Sequence, residues 1–242
     1  MVRTVNEAAY EARRNAILDA AQRAVETKGY EQMALADLLG ELQISSGAFY
    51  HYFDSKPALL LALVERMVDE VEQLVLPIVH DPKLSALDKL QRFFAVLEQG
   101  KREHKRFVLA YLRVWYGDEN AIVRHKLHIV RVKRFTPWLE EIIQEGTREG
   151  VFQTLYPDQT ARVVLSLLED LGYATVEVIL SGEREPDDLP RLERIVTATV
   201  DALERVLGAP AGCLPRASRE ELSQWLTPPS QSRMESEDAH RR

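Results

Sequence analysis

A chain of 242 residues, 45% apolar and 29% charged, has the profile of a soluble globular protein and room for one large domain or a small one joined to a larger. A single cysteine, Cys213, excludes an intrachain disulfide framework, and a net charge of −7 excludes a protein that coats nucleic acid by charge alone, though not one that touches DNA with a small surface. No uncharged stretch approaches the roughly 20 residues that span a bilayer, and the opening "MVRTVNEAAYEARR" lacks the apolar centre of a secretory signal, so a cytoplasmic location is expected.

With only 11 glycines and 11 prolines, and long stretches rich in Leu, Ala, Glu and Arg, the chain reads as all-α. The first helix is expected over residues 6 to 28. Ile17, Ala20, Ala21, Ala24 and Val25 form its apolar face, and Gly29 stops it. A second covers about 34 to 42, with Leu35, Leu38, Leu39 and Leu42 as its stripe. After a tight turn, Ser45 or Ser46 can cap a third of about two turns, reaching Tyr52. Asp54 or Ser55 caps a fourth, which carries Pro57 in its first turn and is expected to end at Pro77.

Further helices are expected over 85 to 100, 103 to 116, 118 to 146 (kinked or split at Pro137), 157 to 180 and 186 to 207. Residues 211 to 242 read as a largely disordered tail holding one short helix at 219 to 226. The expected organisation is a DNA-binding domain over residues 1–56, a helical ligand-binding and dimerisation domain over 57–210, and the tail. The boundary falls in the fourth helix, which is expected to act as a lever.

Two short helices joined by a tight turn read as a helix-turn-helix, whose second helix enters the major groove, about 12 Å wide. Small residues at Ser45, Ser46, Gly47 and Ala48 let the start of that helix approach DNA. Phe49 and Phe53, four apart, are expected to anchor it. Tyr50, His51 and Tyr52 are expected to turn polar tips toward phosphates or bases, and Lys56 can reach a phosphate. Residues 1 to 60 hold six basic against eight acidic side chains, a balance of −2, so affinity must rest on few phosphate contacts together with dimerisation.

These residues carry a resemblance. Ile17, Leu18, Ala20 and Ala21, then Gly29 and Tyr30, then Ser45, Gly47, Phe49, Tyr50, Tyr52 and Phe53, then Ser55 and Lys56 stand at the spacing of the DNA-binding region of TetR (tetracycline-repressor-like) regulators, which residues 13 to 65 closely resemble. The chain departs from that pattern in having Met33-Ala34 where a hydroxyl often starts the second helix, and Gln43 where glycine usually occupies the turn. The resemblance implies a ligand-responsive regulator, expected to be a repressor, that binds operator DNA through Arg14, Ser45, Ser46, Gly47, Ala48, Tyr50, His51, Tyr52 and Lys56.

The stretch "ARVVLSLLEDLGYATVEVIL" and the helix after it are apolar over more than half their circumference, which suits burial on two sides. The resemblance implies that they pair with their copies in a homodimer, through Leu168, Gly172, Thr175, Ile195, Thr199 and Leu203. Phe93, Phe94, Phe107, Tyr111, Trp115, Tyr116, Phe135 and Trp138 supply aromatic surface for a small-molecule effector, with Tyr111, Trp115 and Glu169 as the favoured contacts. His125 and His128 stand three apart but have no third ligand in the pattern, so neither metal nor cofactor is expected. No nucleophile elbow, phosphate loop or dinucleotide loop is present to suggest an enzyme. A helical ligand-binding or scaffold protein with weakened DNA binding is the alternative.

Overall fold

Helices are the only regular elements among the described residues of the computed structural model, which are residues 2–30, 32–105, 107–109, 112, 121–181 and 185–227. They are α1 (Val2–Lys28), α2 (Leu35–Leu42), α3 (Ser46–Tyr50), α4 (Lys56–Val79), α5 (Ala86–Glu103), α6 (Ala121–Glu149), α7 (Pro157–Ile179), α8 (Asp188–Leu207) and α9 (Arg219–Leu226). None is long and apolar enough to cross a membrane.

The chain divides into two compact units. One comprises Met1–Leu74 and Glu98–Arg131, the other Val75–Leu97 and Val132–Arg242. The first therefore extends past residue 56, where the DNA-binding domain was expected to end. The reason is burial: Leu59, Leu60, Ala62 and Leu63 of α4, and Phe107 further on, share one core with Ile17, Leu18, Ala21, Leu38, Phe49 and Phe53. At roughly 1.5–3 kcal/mol per buried side chain, these residues of α4 belong energetically to the first unit.

Two prolines are tolerated where a helix end or break was expected. α4 runs past Pro77 to Val79, and α6 runs unbroken through Pro137. Both prolines are exposed, as are Gln73 and Lys133 four residues earlier, whose carbonyls lose their helical donors. Water can serve those carbonyls, while burial of Val75 and Val79 holds the last turn of α4.

In the second unit α7 packs along α8, and α9 packs on α8. Lys89, almost fully buried, pairs with Glu145 at 2.5 Å, and Glu149 accepts from the Ala86 amide at the start of α5. Phe93, Phe135 and Trp138 form a chain of ring contacts at 6.3 and 5.0 Å. Gly146 is required where α6 meets Phe152, since a Cβ there would lie 2.1 Å from the ring.

The short helix expected at 219–226 is present, but residues 211–218 before it, expected to be disordered, are instead tied down. Glu204 of α8, only 4% exposed, accepts from the Gly212 and Leu214 amides at 2.9 and 3.0 Å and from Arg216 at 3.3 Å. Arg216 also reaches Asp201 at 2.8 Å. Leu214 and Leu222 are buried, and a Ser218–Glu221 capping box starts α9. Burial alone would raise the Glu204 carboxyl, but the two amide hydrogen bonds and the Arg216 charge outweigh it and hold the group below its ordinary 4.5.

A depressed folded value means that this contribution is complete above the ordinary value and is lost as pH falls through the folded one. Glu204→Gln should cost about 2–4 kcal/mol at neutral pH, since an amide cannot replace a carboxylate among three donors. Urea unfolding checks this, and the deficit relative to wild type should shrink as pH falls below 4.5.

Candidate nucleic-acid interface

The first unit builds a helix-turn-helix from α2 and α3. Leu38 of α2 and Phe49 of α3 are buried in one core, with Leu35, Leu39, Leu42 and Ile44 packed against it. The turn between the helices uses Gln43 in the left-handed region, at φ 51° and ψ 45°, the only non-glycine with positive φ among the described residues. That backbone closes α2: the Gln43 amide bonds the Gly40 carbonyl at 3.3 Å and the Ile44 amide bonds the Leu39 carbonyl at 3.1 Å. Ala34 opens α2 without a side-chain cap, as expected from the missing hydroxyl.

α3 is five residues long, shorter than expected. Ser45 is its cap, its Oγ accepting from the Ala48 amide at 3.2 Å, and Ser55 caps α4 through the Ala58 amide at 3.1 Å. Phe49 is fully buried and Phe53 nearly so, their rings 5.8 Å apart. Ser45, Ser46, Gly47, Tyr50 and His51 are exposed, with Ala48 half-buried. Tyr52 is half-buried and packs on the core, with its ring 4.8 Å from Tyr10. The next helix starts too soon for all of Tyr50, His51 and Tyr52 to face outward.

The cations meet carboxylates, aromatic rings and a backbone carbonyl. Arg23 pairs with Glu41 at 2.7 Å and Lys28 with Asp37 at 3.0 Å, stapling α1 to α2 through exposed, weak ion pairs. Arg14 instead lies 5.5 Å from the centre of the Phe53 ring, and the Lys56 ammonium 4.5 Å from that of Tyr30. Arg13 donates to the Leu42 carbonyl at 3.4 Å, beside the turn. Tyr10 and Arg13 were not singled out from sequence. Tyr10 precedes Ile17 by seven residues and so continues the apolar face of α1.

Of the other expected contacts, Leu168, Glu169, Gly172 and Thr175 on α7 and Ile195 and Thr199 on α8 are half-buried. A Cβ at Gly172 would meet nothing in its own chain. Leu203 is only 3% exposed, so it is a core residue with little surface to offer a partner. Tyr111, Trp115 and Tyr116 lie outside the described residues. Phe93, Phe107, Phe135 and Trp138 are buried within their own units as packed core. Two surface grooves of the second unit run beside Gly150 and Gly208 and beside Arg92 and Cys213; Glu169 lines neither.

Residues 17–63 match a family model described as bacterial regulatory proteins, tetR family, and residues 115–176 match one described as the tetracyclin repressor-like C-terminal domain. YuxN, an HTH-type transcriptional regulator of Bacillus subtilis, is 31% identical over 198 residues, covering 72% of this chain and 65% of YuxN. The chain thus spans just under two thirds of that relative. The HTH-type transcriptional repressor DhaR of a Mycobacterium species is 21% identical over 180 residues, covering 73% of this chain and 84% of DhaR. Among solved structures, a TetR-family regulator of Pectobacterium atrosepticum matches with a TM-score of 0.57 at 21% identity, covering 84% of this chain and 98% of that one. SmeT in complex with triclosan matches with a TM-score of 0.59 at 17% identity, covering 90% of this chain and 98% of SmeT. These last two establish likeness of fold.

Gln43→Gly should raise stability by about 0.5–1 kcal/mol, because glycine takes the left-handed turn without the ~1–2 kcal/mol steric cost that an L side chain meets there and gives part of that back as chain entropy. Denaturant unfolding measures the change, and a loss of stability would show that the Gln43 side chain holds the turn.

Proposed function

This chain belongs to the TetR family of bacterial transcriptional regulators, and we propose that it is a cytoplasmic homodimeric repressor released from operator DNA by a small apolar or amphipathic molecule. The observation that carries the DNA reading is the outward face of α2–α3: with Phe49 and Phe53 turned into the core, Ser46, Gly47, Tyr50 and His51 remain on the surface of a helix-turn-helix. Tyr50 and His51 contact base edges, and Ser46, Gly47 and Ala48 allow the close approach. Ser45 serves mainly as a cap. Arg14 and Lys56 contact phosphates, each approached by an aromatic ring.

The dimer reading rests on α7 and α8. Leu168, Thr175, Ile195 and Thr199 leave apolar or short side chains part-exposed, and the open space at Gly172 lets a second helix come close. Two copies present their recognition helices to successive major grooves, about 34 Å apart. A ligand that prefers a conformation with another spacing lowers DNA affinity by its differential affinity and no more.

Support for a ligand comes from Thr136. Its hydroxyl is buried on α6, between Phe135 and Trp138 in sequence, with no hydrogen-bond partner among the described residues. Such a group costs about 1–3 kcal/mol unless something serves it, and a ligand's acceptor would. SmeT, similar in fold, is solved in complex with triclosan.

Three measurements test these readings. Lys56→Ala should leave the dimer intact in sedimentation but lower the slope of log affinity against log salt by about 2, one phosphate contact per protomer at ~0.9 each; an unchanged slope would remove Lys56 from the interface. In a thermal-shift screen of apolar and amphipathic molecules, a true effector at a hundred times its Kd should add about 2.7 kcal/mol and release a bound duplex. Thr136→Val should stabilise the free protein by about 1 kcal/mol and weaken that effector. Stabilisation that leaves DNA binding untouched would contradict ligand control.

A further inference from the structure

We propose that Tyr10, outside the stretch that matches the family's DNA-binding model, is a positioning residue for DNA recognition that acts through the His51 imidazole. The proposal rests on the reading of α3 as the recognition helix. α1 begins fifteen residues before the matched segment, at Val2, and Tyr10 lies on that extension. Its ring meets both aromatic residues that follow α3: it stands edge-on to His51 at 5.7 Å and 84°, and tilted against Tyr52 at 4.8 Å and 35°. His51 and Tyr52 are themselves edge-on, at 5.3 Å and 78°. The three rings form one cluster.

His51 is the residue whose freedom this cluster removes. Its backbone is already fixed: it closes α3 at φ −71° and ψ −25°, and its amide bonds the Gly47 carbonyl at 3.2 Å. Its side chain is exposed, and an exposed imidazole samples several staggered wells unless something selects one. Two rings nearly perpendicular to it make that selection. Aromatic pairs of this geometry are worth a modest but measurable preference beyond the area they bury. The imidazole reaches DNA with its ring orientation already chosen, and can give an N–H to a guanine O6 or N7 or to a phosphate oxygen. Ordering that side chain before contact removes part of the entropic cost of binding.

A bland role is available to Tyr10, as packing that holds α1 against Tyr52, and the test must separate the two. A duplex is selected from a random-sequence pool by the wild-type protein, and its affinity is measured for Tyr10→Phe, Tyr10→Leu, Tyr10→Met, His51→Ala and the double variant Tyr10→Leu/His51→Ala. Leu and Met are strong helix formers, so α1 keeps its helicity, checked by circular dichroism. Tyr10→Phe keeps the ring and should bind within about twofold of wild type. Tyr10→Leu and Tyr10→Met should each weaken binding roughly three- to tenfold. In the His51→Ala background, adding Tyr10→Leu should cost less than about twofold.

The His51 ring resonances of the free protein, observed with labelled histidine, should move in Tyr10→Leu and shift less in Tyr10→Phe. That readout is independent of DNA. An equal loss on adding Tyr10→Leu to His51→Ala would assign Tyr10 to packing alone and overturn the proposal. An equal loss in Tyr10→Phe would make the phenol a direct DNA contact and overturn it too. Failure of the wild-type protein to select any duplex would instead remove the recognition reading itself, and the proposal with it.

Discussion

Burial of Phe49 is the constraint on which the DNA-facing surface depends. α3 has five residues, far below the length at which a helix persists in water, so its own hydrogen bonds cannot hold it. It exists because Phe49, fully buried, and Phe53 insert among Ile17, Leu18 and Leu38, while Ser45 caps its start. The face available to DNA is therefore what the core leaves over. Fixing Phe49 inward turns Tyr50 and His51 outward, and the short run to α4 draws Tyr52 back against Tyr10. The outward residues are held by tertiary packing, and changes in α1 or α4 can reach them without touching α3.

An acidic domain that binds a polyanion must use its cations sparingly. Two of the six basic residues in the first sixty, Arg23 and Lys28, are engaged in pairs with α2 carboxylates. Arg14 and Lys56 also lie against rings, those of Phe53 and Tyr30. A lysine or arginine head loses about 1.5–2 kcal/mol of rotamer freedom when ordered, so a ring that already restricts it reduces what each phosphate contact must overcome. Few contacts, each ordered in advance, suit a domain whose net charge gives it little electrostatic attraction for DNA.

Local rules made the first unit legible in sequence. Caps at Ser45 and Ser55, the stop at Gly29 and the leucine stripe of α2 act within a few residues, and each element appears near its expected bounds. What escaped depends on distant partners. Residues 211–217 have the composition of a tail and nothing local to order them; a carboxylate on α8 does so. Pro77 and Pro137 signal breaks, yet both fall on solvent-facing turns. Leu203 sits on the apolar face of α8, but periodicity cannot tell the side that meets its own chain from the side left for a partner. Tyr52 belongs to the recognition pattern while Tyr10, outside that pattern, decides which way it turns.

Aromatic residues at helical spacing point poorly to a ligand pocket for the same reason. Phe93, Phe135 and Trp138 satisfy one another by ring contact and burial, which is a complete account of their presence. A polar group that the fold leaves unserved is more informative, because apolar packing supplies no reason for it. Thr136 is such a group: valine would fill the same volume without a hydroxyl to desolvate. It lies on α6 beside the buried Phe135 and Trp138, one residue before a proline that itself lacks a helical donor.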